Sequence, residues 1–294
     1  MFKKIIQKLS HLFNVYQSQK KTKPFELISE VSGNQSSLQV QVLLETNRSL
    51  ILNLSKKQQA KFILNDENEL LVTIQGVTIK IECEEDLFIV NEIFQEMVYG
   101  IQLTGNVILI DVGLNIGIAS LYFNLIPQVE KIYAFEPVEE TYKKCLANLA
   151  LNGTTPKIKT FNYGLGNTDR VDTFDYSKSF KGSVGKFDLP LQKQENLQFV
   201  QVQIKEAGQI ISSILKENPN KKVMIKMDCE GSEEEIIPHL KTTGILDQID
   251  LLILEWHDLK FLNELSAFDN FNCFYHMNSD STGMLYAANK RIPK

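Results

Sequence analysis

The sequence predicts an α/β protein, a mostly parallel sheet flanked by helices and preceded by a small antiparallel β unit. Two patterns predict it. Beyond residue 100, short continuous apolar runs alternate with stretches of helical spacing, and two such units in succession imply parallel strands joined by right-handed crossovers. Before residue 82 the apolar period is two, the spacing of strands with one solvated face. With 294 residues, 43% of them hydrophobic and 23% charged, the chain can bury one large core with a smaller attachment.

The opening MFKKIIQKLSHLFNVY places Phe2, Ile5, Ile6, Leu9, Leu12, Phe13 and Tyr16 on one helical face, interrupted by Gln7, Lys8 and His11. It has no continuous apolar core, so it is not read as a secretion signal. The expectation is a helix packed on its own domain or on a partner, with a membrane-surface anchor as the alternative. No apolar run is long enough to span a bilayer. Residues 18–35 are polar, with Pro24 and Gly33, and read as a linker. The stretches SLQVQVLLE, SLILNLS and ELLVTIQGVTIKIE then alternate through Leu38, Val40, Val42, through Leu50, Leu52, Leu54, and through Leu71, Thr73, Val77, Ile79 and Ile81, with a turn at Gly76. Residues 1–85 are therefore expected to hold a helix and a small antiparallel β subdomain, and 86–294 the main domain.

A helix through Leu87, Val90, Ile93, Phe94, Met97 and Val98 leads in and stops at Gly100. Strands are expected at 107–112, 131–135, 158–161, 223–227 and 251–255. Helices are expected at 115–125, 139–151, 206–216 and 232–240. Residues 166–200, with SFKGSVGKF in the middle, read as a long loop or hairpin over the sheet, and the end of the chain reads as a hairpin closing the sheet edge.

Charge and cysteines exclude some functions. The net charge is −5 and no Lys/Arg block appears, so nucleic acid is not expected as a partner. Cys83, Cys145, Cys229 and Cys273 are scattered without a CxxC pair, which fits reduced thiols in a cytoplasmic protein rather than a zinc site.

In such sheets ligands sit beyond the carboxyl ends of the strands, where strand order reverses. The loop DVGLNIG occupies that place, with Gly113 and Gly117 expected to let the backbone approach a ligand closely. About 20 residues on, at the tip of the next strand, Glu136 can accept the hydroxyls of a ribose. A dinucleotide is disfavoured. The pattern is DxGxNxG rather than GxGxxG, and Asp111 at the strand end would repel a pyrophosphate. S-adenosylmethionine has a ribose, no phosphate, and cationic sulfonium and ammonium groups, so acids suit it. Two more strand ends carry acids: VMIKMDCEGSEEEII delivers Asp228 and Glu230, and LLILEWHD delivers Glu255, His257 and Asp258. Helix capping is the simpler reading of Asp258 and of Glu233, Glu234 and Glu235. A carboxylate ending an apolar strand, as Asp228 and Glu255 do, needs a partner or a function.

These residues resemble the FkbM-type S-adenosylmethionine-dependent methyltransferases. The matching stretches are EIFQEMVYG, VILIDVGLNIGIASLYF, IYAFEPVEETYKKCLANLALNG, VMIKMDCEGSEEEII and LLILEWH, over roughly residues 90 to 290. The resemblance implies a Rossmann-like class I methyltransferase fold, with a seven-stranded sheet whose last strand is antiparallel, and O-methylation as the usual activity. Carried over by position, Asp111, Gly113, Asn115 and Gly117 line the methionine end. Glu136, with Pro137 of the same FEP turn, holds the ribose, and Asn162 or Tyr163 neighbours the adenine. Leu114 stands where the family often has Ala, and VQIKEAGQII lacks an acid expected after its strand.

Methyl transfer then needs alignment and removal of the acceptor's proton. His257 is the expected base with Glu255 orienting it, and Asp228 and Glu230 facing cofactor and acceptor. The alternative is a divalent cation held by Asp228, Glu230 and Glu255. The acceptor is expected to be a glycan or small natural product, chosen by the segment before residue 85 and by residues 166–200. The N-terminal unit could also serve homo-oligomer formation. A non-catalytic cofactor- or glycan-binding module of a biosynthetic pathway is the rival reading.

Overall fold

The structure, a computed structural model, describes residues 37–153, 156–176 and 198–291. The expected N-terminal helix, the linker at 18–35 and the SFKGSVGKF segment lie outside them.

The first described elements differ from expectation. The stretches read as strands around Leu38 and Leu52 are helices, α1 (Leu38–Thr46) and α2 (Arg48–Gln58). Ser37 caps α1 by accepting from the Val40 N–H at 3.3 Å. The same leucines that alternate also recur at helical spacing. Leu43, Asn47, Ile51 and Leu54 share a buried face, while Leu38 and Val42 are exposed. Leucine favours helix over strand, so the second period wins.

Three antiparallel strands follow, β1 (Lys61–Leu64), β2 (Leu70–Ile74) and β3 (Val77–Ile81). Gln75 and Gly76, at φ 49° and 86°, close the two-residue β2–β3 hairpin, whose twist requires positive φ at both positions. Helix α3 (Glu84–Phe94) opens with Asp86 accepting from the backbone N–H groups of Glu82 and Cys83.

The main sheet runs β12-β13-β11-β10-β4-β5-β6. Its strands are β4 (Val107–Val112), β5 (Val129–Phe135), β6 (Ile158–Phe161), β10 (Lys222–Met227), β11 (Leu251–Trp256), β12 (Phe271–Met277) and β13 (Gly283–Asn289). Only β13 runs antiparallel to the other six strands, as a Rossmann-like methyltransferase sheet requires. Helices α4 (Ile118–Asn124), α5 (Glu139–Leu151), α6 (Ala207–Glu217) and α7 (Glu233–Thr242) connect the parallel strands. Part of the expected loop is a second small sheet, with β7 (Gly164–Gly166) and β8 (Arg170–Tyr176) on either side of β9 (Gln198–Glu206). Phe174, Tyr176, Val202 and Ile204 bury one face of it against Val138.

The N-terminal sheet is fastened to the main domain through α5. Asn152 Oδ1 accepts from the Thr78 N–H at 2.8 Å and Asn148 Oδ1 from the Lys80 N–H at 2.9 Å, so two side chains one helical turn apart stand in for a fourth strand. One hydrophobic cluster continues from Leu70, Val72 and Ile79 through Leu87 and Val90 to Val107 and Leu109. Strand order reverses between β4 and β10, and their carboxyl ends face α3. No described helix is long and apolar enough to cross a membrane.

Candidate active site

Past the end of β4, Gly113, Asn115 and Gly117 all adopt left-handed backbone, at φ 87°, 51° and 90°. A Cβ on Gly113 would lie 1.7 Å from the Asp228 carbonyl oxygen, and one on Gly117 would lie 2.8 Å from Cys145 Sγ. Both glycines therefore sit in close contact with other parts of the protein, and Gly113 also lines the cleft that opens beside the loop. The loop lies directly on the end of β10.

Asp111, expected to line the methionine end, lies wholly buried beneath the loop. Its Oδ2 accepts from Ser120 Oγ at 2.7 Å, and its Oδ1 stands 3.2 Å from Lys226 Nζ. The cause is register: Asp111 and Lys226 are direct partners on β4 and β10, and a buried ammonium needs a counter-charge. Lys226 also donates to the Gly113 carbonyl at 2.7 Å and so fixes the loop. Burial opposes its charge, but Asp111 and Asp228 outweigh burial and raise its pKa. Sequence reasoning passed over this residue, although a lysine inside VMIKM was its signal.

A cleft opens between this loop, the tips of β10 and β11, and α3. Its walls carry Glu92, Tyr99, Asn115, Asp228 and Glu255. Glu92 and Tyr99 come from α3 and the turn after it, outside every expected site. The Tyr99 hydroxyl donates to Asp228 Oδ2 at 3.2 Å. The Glu92 carboxyl is pushed up to about 8, by burial first and then by the charges of Glu255 and Asp228.

At the tips of β10 and β11 the structure brings Asp228, Glu230, Glu255 and His257 together, as expected. His257 Nε2 stands 3.7 Å from Asp228 Oδ1 and 3.5 Å from Glu230 Oε2. The orienting partner differs from the one expected. Glu233, wholly buried, accepts from His257 Nδ1 at 3.0 Å, from the His257 N–H at 2.9 Å and from the Gly231 N–H at 2.9 Å. Glu255 instead receives Asn278 Nδ2 at 3.4 Å. Glu233 heads α7, and the turn from Gly231 folds its side chain back under the β11 end. A capping acid is thus also the histidine's partner.

Burial works against the charged imidazole, but Glu230, Glu233 and Asp228 outweigh it and raise His257 to about 10. Burial first, then the Asp228 charge, lifts Glu255 to about 7, and burial lifts Glu230 well above the usual carboxylate range. The rim holds more negative charge than its cations balance, which favours a cationic occupant.

On the other side of the loop, Glu136 is nearly buried at the tip of β5. Its Oε2 accepts from the Asn115 N–H and its Oε1 from the Val138 N–H, each at 2.9 Å. A carboxylate has about four acceptor positions, so each oxygen keeps one. Burial, opposed by these two donors, raises it to about 7. Asn162 Nδ2 donates to the Glu136 and Pro137 carbonyls at 2.9 and 3.3 Å and braces that turn. Tyr163 packs its ring 5.4 Å from Phe135 and 5.6 Å from Phe161.

The methyltransferase FkbM domain family matches residues 111–275. Among curated relatives, methyltransferase sdnD of Sordaria araneosa is 35% identical over 105 residues, 35% of this chain and 39% of that protein. The AMB antimetabolite synthetase AmbE of Pseudomonas aeruginosa is 35% identical over 95 residues, 31% of this chain and 4% of that protein. The chain therefore matches well under half the length of either. Among solved structures, methyltransferase FkbM from Methylobacillus flagellatus aligns with TM-score 0.43 and 14% identity, over 64% of this chain and 44% of that one. TrmK of M. capricolum, in complex with S-adenosylhomocysteine, aligns with TM-score 0.37 and 15% identity, over 67% of each chain.

Proposed function

This chain belongs to the FkbM methyltransferase family, and from that premise we propose that it methylates a hydroxyl of a glycan or small natural product, using S-adenosylmethionine. The observation that carries the reading is the acidic cleft at the reversal of strand order, with Asp228 and Glu255 on its wall and Glu136 behind the loop. The residues fit that cofactor. Glu136 keeps one free acceptor position on each oxygen for the two ribose hydroxyls, and the cleft's carboxylates suit a sulfonium and an ammonium group. When bound, the cofactor supplies a methyl group on an activated sulfonium.

The chain's own residues do the rest. Lys226 and Asp111 fix the loop from below, Asn162 braces the Glu136 turn, and Tyr163 offers an aromatic neighbour for adenine. Asp228, Glu230, Glu255 and His257 face the acceptor, align its hydroxyl and take charge of its proton, with Glu233 holding the imidazole. Positioning and proton removal are the two tasks such a displacement leaves to a protein.

The test is calorimetric titration with S-adenosylhomocysteine, alongside NAD and the Glu136→Ala variant. Binding of the first ligand alone, lost in the variant, is the expected result. No binding by well-folded protein would overturn the cofactor assignment.

A further inference from the structure

We propose that Asp228, Glu255 and His257 form a site for one divalent transition-metal ion at the mouth of the cleft. The inference deepens the methyltransferase reading and rests on it for the ion's role, though not for its binding.

One ligand atom from each of the three side chains lies within 4.8 Å of the other two. Asp228 Oδ1 and His257 Nε2 are 3.7 Å apart. An ion about 2.1 Å from each donor spans up to about 4.2 Å, so it bridges this pair without rearrangement. A side-chain rotation of Glu255 completes the set. The other oxygens are already directed elsewhere: Asp228 Oδ2 accepts from Tyr99, and Glu255 Oε1 from Asn278.

The imidazole supplies a separate observation. Its Nδ1 is taken by Glu233, a wholly buried carboxylate outside the cluster. That leaves Nε2, on a side chain only 12% exposed, turned into the cluster. Among the described residues its nearest oxygens are the ion-paired carboxylates of Glu230 at 3.5 Å and Asp228 at 3.7 Å. A buried ring with one nitrogen fixed by a carboxylate and the other presented to acids is how metal-ligating histidines are held. One imidazole with two carboxylates suits Mn²⁺, Fe²⁺ or Zn²⁺ better than Mg²⁺, which prefers oxygen alone.

The ion's role is to lower the pKa of a coordinated acceptor hydroxyl. As the methyl group passes, the O–H bond breaks with its proton going to solvent water. The oxygen–carbon bond forms, and the sulfur keeps the pair of the broken carbon–sulfur bond.

The test titrates Mn²⁺ into the full chain without methyl donor and follows free Mn²⁺ by electron paramagnetic resonance. The expected result is one ion per chain, with Kd tighter than about 100 μM. His257→Ala and Asp228→Asn each weaken binding more than about tenfold, and Glu233→Gln by about 10- to 100-fold. With ¹⁵N-labelled histidine, a hyperfine coupling from a directly bonded nitrogen is expected. Binding weaker than about 100 μM for both Mn²⁺ and Zn²⁺ in protein of native circular dichroism, or binding that survives His257→Ala, overturns the site. S-adenosylhomocysteine titration on the same samples separates the two proposals. Cofactor binding without metal sinks the ion alone, and metal binding without cofactor sinks the methyltransferase chemistry alone.

Discussion

If Glu136 holds the ribose as proposed, it sets how cofactor affinity responds to pH. Its carboxyl sits at about 7 because burial penalises the anion, while the N–H groups of Val138 and Asn115 partly offset that penalty. In the proposed site two ribose hydroxyls would donate to the ionised form, so binding would have to remove the proton wherever it is present. Affinity for S-adenosylhomocysteine should therefore be flat above pH 7 and fall by about tenfold per unit below it. Glu136→Gln should bind weakly and without this slope; an equal slope in that variant would place the titrating group elsewhere. Gly113 makes a second prediction, of stability. With φ at 87° and the Asp228 oxygen 1.7 Å from any Cβ, Gly113→Ala should cost about 3 kcal/mol or more in urea unfolding. Gly117→Ala should cost less, because the Cys145 thiol it meets can turn aside. Asp111, Glu136, Asp228, Glu230, Glu255 and His257 were all legible as strand-end residues next to apolar runs. Their partners were not. Lys226, Tyr99, Glu92 and Glu233 acquire their roles through register and through packing across more than 100 residues of chain in the case of Tyr99 and Asp228, information that no local pattern carries.

Among elements, α5 has the clearest double duty, since one face follows the core and the other carries Asn148 and Asn152 to the edge of β3. Asn152 both accepts from and donates to Thr78, at 2.8 and 2.7 Å. Replacing it by alanine leaves two strand-edge groups unmatched, for a cost of about 1–3 kcal/mol. Amide hydrogen exchange should rise along β3 while β4 and β10 stay protected; uniform loss of protection would mean the contact is not local. The parallel strands of the main sheet were legible because their apolar runs are bounded by acids, glycines and polar turns. Helices α1 and α2 were misread because their leucines satisfy both periods, and only burial of Leu43, Asn47, Ile51 and Leu54 on one face chooses between them. In the span from 166 to 200, read as a loop or hairpin, β8 and β9 pair antiparallel; Asp172, Thr173, Gln201 and Gln203 give the polar look of a loop, while half the side chains still pack inward.

At the scale of the whole molecule, the expected boundary at residue 85 divides a single core. Leu70, Val72, Ile74, Val77 and Ile79 pack in one cluster with Leu87, Val90, Ile93 and Phe94, so α3 is held between the N-terminal sheet and the main domain. Each such side chain contributes about 1.5–3 kcal/mol when buried, against a total stability of about 5–15 kcal/mol for a typical domain. Stripping the N-terminal sheet from α3 would therefore remove most of the margin. A fragment of residues 86–294 should bind a hydrophobic dye, melt without a cooperative transition and fail to bind S-adenosylhomocysteine. The last effect follows from position as well as stability, because α3 carries Ile89 and Glu92 into the cleft wall and Tyr99 sits just beyond it. If the fragment folds cooperatively and binds with the full chain's affinity, the N-terminal unit is an attachment and α3 holds its place without it. If binding returns when residues 37–85 are supplied as a separate chain, the sheet acts as a removable part of the core that shapes the cleft from behind.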